Sequence, residues 1–196
     1  MRPDVSLAFT LDPAVTPALR NGLLTLWTDV SNAGGSVGFV PPVEAGDVRP
    51  ALVRHFVAMS EGHTRLLVGR YDADDADDAD DTDGADGADK EGEVVAAAFL
   101  AANTHPLMRH WAWLHTVMVH PRRQGGGHGR ALLAAAERAA RAMPGIEAIR
   151  LTCRGGTGLE RFYEACGYKE VGRVPGAIRV GPGDDRDDVT MLLALV

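Results

Sequence analysis

Residues 119–133, Val-His-Pro-Arg-Arg-Gln-Gly-Gly-Gly-His-Gly-Arg-Ala-Leu-Leu, are the densest run of reactive and conformationally special residue types in the chain. A hydrophobic strand pattern runs into a glycine-rich turn flanked by arginines, and an alanine-rich helical pattern begins at once. Gln124, Gly125, Gly126, Gly127, His128, Gly129 and Arg130 therefore offer bare backbone N–H groups beside the positive end of a helix dipole, which together make an anion pocket. Spacing narrows the anion. A P-loop needs Gly-x4-Gly-Lys-Ser/Thr, and no Lys-Ser/Thr follows here. A dinucleotide fingerprint needs Gly-x-Gly-x-x-Gly, and neither Gly125-x-Gly127 nor Gly127-x-Gly129 has a glycine three residues on. What fits is Gln-x-x-Gly-x-Gly, from Gln124 through Gly127 to Gly129. Three consecutive glycines also suit an ordinary surface turn, but the flanking strand and helix both match the pocket.

The strand ending in Val-x-Pro, this loop and the helix opening Arg-Ala-Leu-Leu resemble the acetyl-CoA pyrophosphate loop of the GNAT superfamily of N-acetyltransferases. Downstream, Arg161-Phe162-Tyr163-Glu164-Ala165-Cys166-Gly167-Tyr168 is similar to that superfamily's Phe-Tyr-Glu-x-x-Gly-Phe signature. The resemblance implies an α/β (α+β) fold in one domain over residues 1–196, with a mixed, mostly antiparallel sheet of about seven strands and about four flanking helices. It implies acetyl-CoA as cosubstrate, with its diphosphate on the backbone amides of residues 125–130. The pantetheine arm is expected against free backbone of Val117, Met118 and Val119, where the central strand splays from its neighbour. Those residues also read as core strand positions, since backbone and side chain do different jobs.

Acetyl transfer is attack of a neutral amine on a thioester. The substrate ammonium must lose a proton and the thiolate should gain one, although a free thiol has a pKa near ~8.5 and needs only modest help. The resemblance makes Tyr163 the acid beside the sulfur; a partly buried, packed helix tyrosine is the plainer reading. Phe162 is expected in the core. Many relatives carry a Glu early in the central strand, and counting back from Val119 puts Trp113 at that place. His115 shares its face by period two and is a competent base near neutral pH, or else a satisfied strand histidine. Relatives often carry Asn before the last helix, where this chain has Gly155-Gly156-Thr157. Segments 32–42 and 166–176 resemble a subset of bacterial small-molecule acetyltransferases, including those similar to the tabtoxin-resistance acetyltransferase. The implied activity is transfer to a primary amine of a small molecule in a ternary complex. An acyl-CoA-binding sensor or partner domain without turnover, or a protein N-acetyltransferase, are the alternatives. A homodimer is common in the family.

The composition agrees with a globular protein. At 196 residues and 45% apolar content the chain can bury one sizeable core. No uncharged apolar run approaches the ~20 residues of a membrane helix. Residues 1–5 lack the apolar stretch of a signal peptide, and Cys153 and Cys166 show neither metal nor disulfide spacing, so a cytoplasmic, reduced setting is expected. His105, His110, His115 and His120 recur every five residues and alternate faces of a strand, so no metal site is expected. The net charge is −7, but residues 72–93 hold ten Asp, two Glu and one Lys, a net −11, which leaves the remainder at +4. A mildly basic body suits a phosphorylated ligand and is too weakly charged for nucleic acid.

The elements that must position these groups follow from periodicity. Residues 5–11 read as a strand, and a helix runs from Pro13 to about Ala33 on Leu19, Leu23, Leu26 and Val30. A second helix covers 47–60 with Leu52, Phe56 and Met59 on one face. Residues 65–71 and 94–102 form a hairpin around the acidic run 72–93, which buries too little to order itself. The central strand is 111–119, followed by a helix over 129–143 and a strand over 148–153. A capping box from Thr157 to Glu160 starts the next helix. Strands at 168–174 and 188–195 flank a Gly/Pro/Asp-rich loop.

Overall fold

The computed structural model describes residues 7–71 and 92–196. The acidic run lies outside the described residues, apart from Gly92 and Glu93. The elements are β1 (Leu7–Leu11), α1 (Pro17–Asn32), α2 (Ala45–Ser60), β2 (Thr64–Tyr71), β3 (Ala96–Ala102), β4 (Trp111–Val119), α3 (His128–Arg141), β5 (Ala148–Arg154), α4 (Leu159–Glu164), β6 (Lys169–Gly181) and β7 (Asp184–Ala194). They form one α+β domain whose single sheet has the order β1-β2-β3-β4-β5-β7-β6. All neighbours are antiparallel except β4 and β5.

The sheet carries a core on each face. α3 lays Leu132, Leu133, Ala136 and Ala140 against Leu114, Ile149 and Leu151, and α4 adds Tyr163. On the other face α1 and α2 bury Leu19, Leu23, Trp27 and Leu52 against Val68, Phe99 and Met118. Alanine on every inner turn of α3 brings that helix close to the sheet. Met143, expected to extend the stripe, lies just past the helix end and packs half-buried against the same core.

Three of the differences from the sequence reading have a clear local reason. α1 starts at Pro17 rather than Pro13, because Thr16 is the N-cap and its Oγ1 accepts from Leu19 N at 3.0 Å. Asp12 instead ends β1, accepting from Leu66 N at 2.9 Å and pairing with Arg65. α4 is capped by Gly158 at φ 85°, not by Thr157. Thr157 donates to Arg154 O at 2.9 Å, and Glu160 accepts from Gly156 N at 2.8 Å. The expected loop between the last two strands is ladder: β6 and β7 form a long hairpin turning at residues 181–184. Pro175 and three register shifts are tolerated there because β6 is the outer strand, where missing donors face solvent.

Candidate active site

β4 pairs with β3 along its length, from Ala102↔Ala112 to Ala96↔Val119. With β5 it pairs only at Trp111↔Ala148, Ala112↔Ile149 and Trp113↔Arg150. Beyond Trp113 the two strands part. The cause is visible in the backbone: Thr116 has φ 52°, and the register against β3 slips between Phe99↔His115 and Ala97↔Met118. Thr116 and Val117 together oppose Ala98, which is a β-bulge, and a bulged strand bends away from its neighbour. The bulge also flips side-chain parity. Leu114 belongs to the α3 core while Met118 belongs to the α1/α2 core, although period two would put them on one face.

The opening is a cleft of about 280 Å³ lined by Leu114, Thr116, Val117 and Val119 of β4, Leu151 and Thr152 of β5, and Thr157, Leu159 and Tyr163. The 33–37 segment after α1 closes one wall, and Gln124 marks the end nearest the glycine loop. The Tyr163 side chain is 6% exposed, and burial, then the neighbouring Cys153 and Cys166, raise its pKa above the ordinary phenol value. It stays protonated through the neutral range. Cys153 is buried in the same core and burial pushes its thiol up to about 12.

The glycine loop leaves β4 through a 3-10 turn at Pro121–Arg123. Gln124 Nε2 donates to Val119 O at 3.1 Å and ties the loop back to the strand. Gly125 and Gly127 take φ 83° and 82°, a left-handed conformation that L side chains rarely adopt. Gly129 is required for a different reason: a Cβ there would sit 3.1 Å from Phe162 Cζ. The first described i to i−4 bond of α3 is Ala131 N to Gly127 O at 3.0 Å. α3 has no side-chain cap and no acidic residue in its first turn, whereas Thr16 caps α1 and a Glu44–Asp47 capping box closes α2. The amides of His128, Gly129 and Arg130 thus lack acceptors within the helix, and this donor set fits a diphosphate. His128 lies 3.3 Å from Tyr71 Oη, and the Arg123 guanidinium sits 5.0 Å over the Tyr71 ring.

A second cavity, about 450 Å³, opens on the α2 side of the same gap. It shares Ser36, Val37, Leu114, Thr116 and Thr152 with the first and adds Trp27, Phe39, Arg54, His55 and His115. His115 stacks on Trp113, centroids 5.6 Å apart, and lies 6.4 Å from His55, which itself stacks on Phe99 at 3.9 Å. The His115 ring is open to water in the cavity, yet the protein around it still lowers its pKa by desolvation. Burial, then the charges of His115 and Arg54, lower His55 from 6.5 to about 4.

The sequence profile of the acetyltransferase (GNAT) family matches residues 52–168. The chain belongs to the GNAT family. Its members use acetyl-CoA, and the uncapped α3 and opened β4 described above fit that ligand. No curated protein matches the chain. Among solved structures, it is similar to a protein described as a GNAT-family acetyltransferase from Desulfovibrio desulfuricans, at 21% identity and TM-score 0.67, over 97% of this chain and 100% of that one. YncA from Salmonella typhimurium, solved with its cofactor acetyl-CoA, matches at 16% identity and TM-score 0.69 over 97% and 95%. A ribosomal-protein-alanine N-acetyltransferase from Brucella melitensis matches at 21% identity and TM-score 0.66 over 94% and 99%. At these identities the likeness establishes the GNAT fold alone.

Of the residues singled out from sequence, Tyr163, Val117, Val119 and Gln124 line one cleft, and Gly125 to Arg130 form the loop and helix start beside it. His115 lines the adjoining cavity, not the same one. The Met118 side chain is fully buried in the α1/α2 core, so only its backbone is available to a ligand. Thr157, just before α4, lines the cleft. The four evenly spaced histidines do not converge: among the described residues no group of three or more His, Cys, Asp or Glu could hold a metal. Sequence reasoning missed Thr116, whose bulge makes the opening, and His55. His55 lies three residues after Leu52 and so on its stripe, a signal that was there to read.

Proposed function

We propose that this GNAT-family chain transfers an acetyl group from acetyl-CoA to a primary amine of a small molecule, by direct attack within a ternary complex. One observation carries the reading: two cavities meet at the gap between β4 and β5, one reaching Gln124 at the edge of the glycine loop and the other lined by His115. Acetyl-CoA supplies the thioester carbonyl and the sulfur leaving group. The amides of residues 125–130 hold its diphosphate, each helix-end contact worth ~0.3–1 kcal/mol. The backbone of Val117, Met118 and Val119, freed from β5, holds the arm.

His115, neutral near pH 7, accepts the proton of the incoming ammonium directly or through water. Tyr163 gives its proton to the departing sulfur. A phenol with a raised pKa is a poor donor to an ordinary thiolate. Leu114, Leu151 and Leu159 make the cleft beside Tyr163 partly apolar, and loss of water raises the basicity of a departing thiolate. That shift runs in the same direction as the one burial imposes on Tyr163.

A non-catalytic acyl-CoA-binding domain is the second reading, and Trp113 favours it, standing where many relatives carry a Glu. Release of free thiol from acetyl-CoA in the presence of an amine panel separates the two. Turnover with any amine supports transfer; calorimetric binding of acetyl-CoA without thiol release on any amine supports the sensor. A homodimer in the cytoplasm is proposed as the working form. The outer edge of β6, with Val171 and Val174 56% and 57% exposed, supports pairing of two copies, and light scattering tests it.

A further inference from the structure

The charge around the acceptor cavity is one-sided. The lining of the 450 Å³ cavity includes Arg54 and no carboxylate. A neighbouring cavity of about 280 Å³, joined to it through Ser36, Gly38, Phe39 and Thr152, adds Arg154 and Arg179, again with no Asp or Glu. Arg179 is neutralised by Asp185, at 2.7 and 2.8 Å. The other two are not. Arg54 makes no ion pair with a described carboxylate. Arg154 faces Asp188 across the ladder but does not reach it, and its buried Nε has no hydrogen-bond partner. Guanidinium pairs carboxylates and phosphoryl oxygens in a two-pronged geometry. A second ammonium, by contrast, would find no carboxylate among the residues lining either cavity.

We infer that the acceptor is a compact amine carrying an oxyanion, such as an α-amino acid, with Arg54 and Arg154 receiving the anion while the amine lies toward His115. A polyamine is disfavoured by the same lining. His55 and His115 are both shifted toward their neutral forms, so the arginines supply the attraction at working pH. This inference rests on the transferase reading, and its test separates the two.

Initial rates are measured for a panel of α-amino acids, for the amine each gives on decarboxylation, and for spermidine. In parallel, the same compounds are titrated calorimetrically into protein saturated with coenzyme A. The best amino acid should exceed its decarboxylated partner by at least tenfold in kcat/KM and bind more tightly. Arg54→Gln and Arg154→Gln should each erase most of that ratio through KM, with kcat within about twofold. Carboxylate-dependent binding without turnover would uphold the anion site and overturn the transferase. Turnover that prefers spermidine or the decarboxylated amines, an unchanged ratio in both variants, or binding of neither class would overturn the anion site.

Discussion

The two halves of β4 share one strand and do different work. From Trp111 to Trp113 the backbone is paired on both sides and Ala112 is fully buried. From Leu114 to Val119 it keeps only β3, swings around the bulge at Thr116 and borders both cavities. The first half is ordinary sheet. The second gives up strand pairing, and with it some stability, for backbone groups a ligand can use. Within a few residues the contrast shows how a fold places function where its own hydrogen bonding is incomplete.

Attacking the open half should cost chemistry, and attacking the paired half should cost stability. Tyr163→Phe is expected to lower turnover about 10- to 1000-fold while acetyl-CoA affinity, by calorimetry, stays near that of the parent. Unaltered turnover would remove Tyr163 from the chemistry. Gly127→Ala puts a side chain at φ 82° with no atom in its way, so only backbone strain of ~1–2 kcal/mol is felt. Because the free loop can relax, acetyl-CoA affinity should fall about 5- to 30-fold. Gly62→Ala, with φ 74° at the end of α2, should lower Tm and leave affinity alone. Equal effects of the two on binding would contradict a special role for the loop. Ala112→Val overpacks the paired half and should destabilise by ~1–3 kcal/mol in denaturant titrations, with kcat within about twofold.

Two smaller effects are read through pH. His115 works as a base in its neutral form, and its lowered pKa keeps it neutral further into acid. The acidic limb of kcat/KM should therefore fall at a pH below 6.5, and His115→Gln should abolish that limb. A limb unmoved by the substitution assigns the base elsewhere. His55 titrates near 6.5 when unfolded and at about 4 when folded, so the unfolded chain binds the extra proton between those values. Its contribution is complete above 6.5 and is lost as pH falls toward 4. His55→Phe should flatten that part of the Tm profile.

Much of this was readable from residues alone. β4 is legible because seven of its nine residues are apolar and rich in Trp and Val, and α3 because its Leu and Ala recur at helical spacing up to a Gly/Pro stop. The glycine loop was legible because φ-permissive residues are rare enough to carry meaning in threes. The bulge was not: Thr116-Val117-Met118-Val119 reads as regular strand, and only pairing against β3 forces Thr116 into the left-handed region. The β6–β7 hairpin was hidden for the opposite reason. Pro175, Gly176 and the Gly181-Pro182-Gly183 turn look like breakers, while the cross-strand pairs that hold the ribbon, Arg173 with Asp187 and Arg179 with Asp185, show only once the register is known. The cavities also need β4 and β5 beside α4 in one case and beside α2 in the other, which no local pattern encodes.

Cys153 has one more use. Its sulfur keeps its hydrogen up to about 12 while the interior is intact, and Cys166, also shifted upward by burial, is half covered. A native sample treated with an alkylating dye near neutrality should label at most one site per chain, and a denatured sample two. The difference offers a quick bench gauge of whether a variant has kept the interior behind Tyr163 closed.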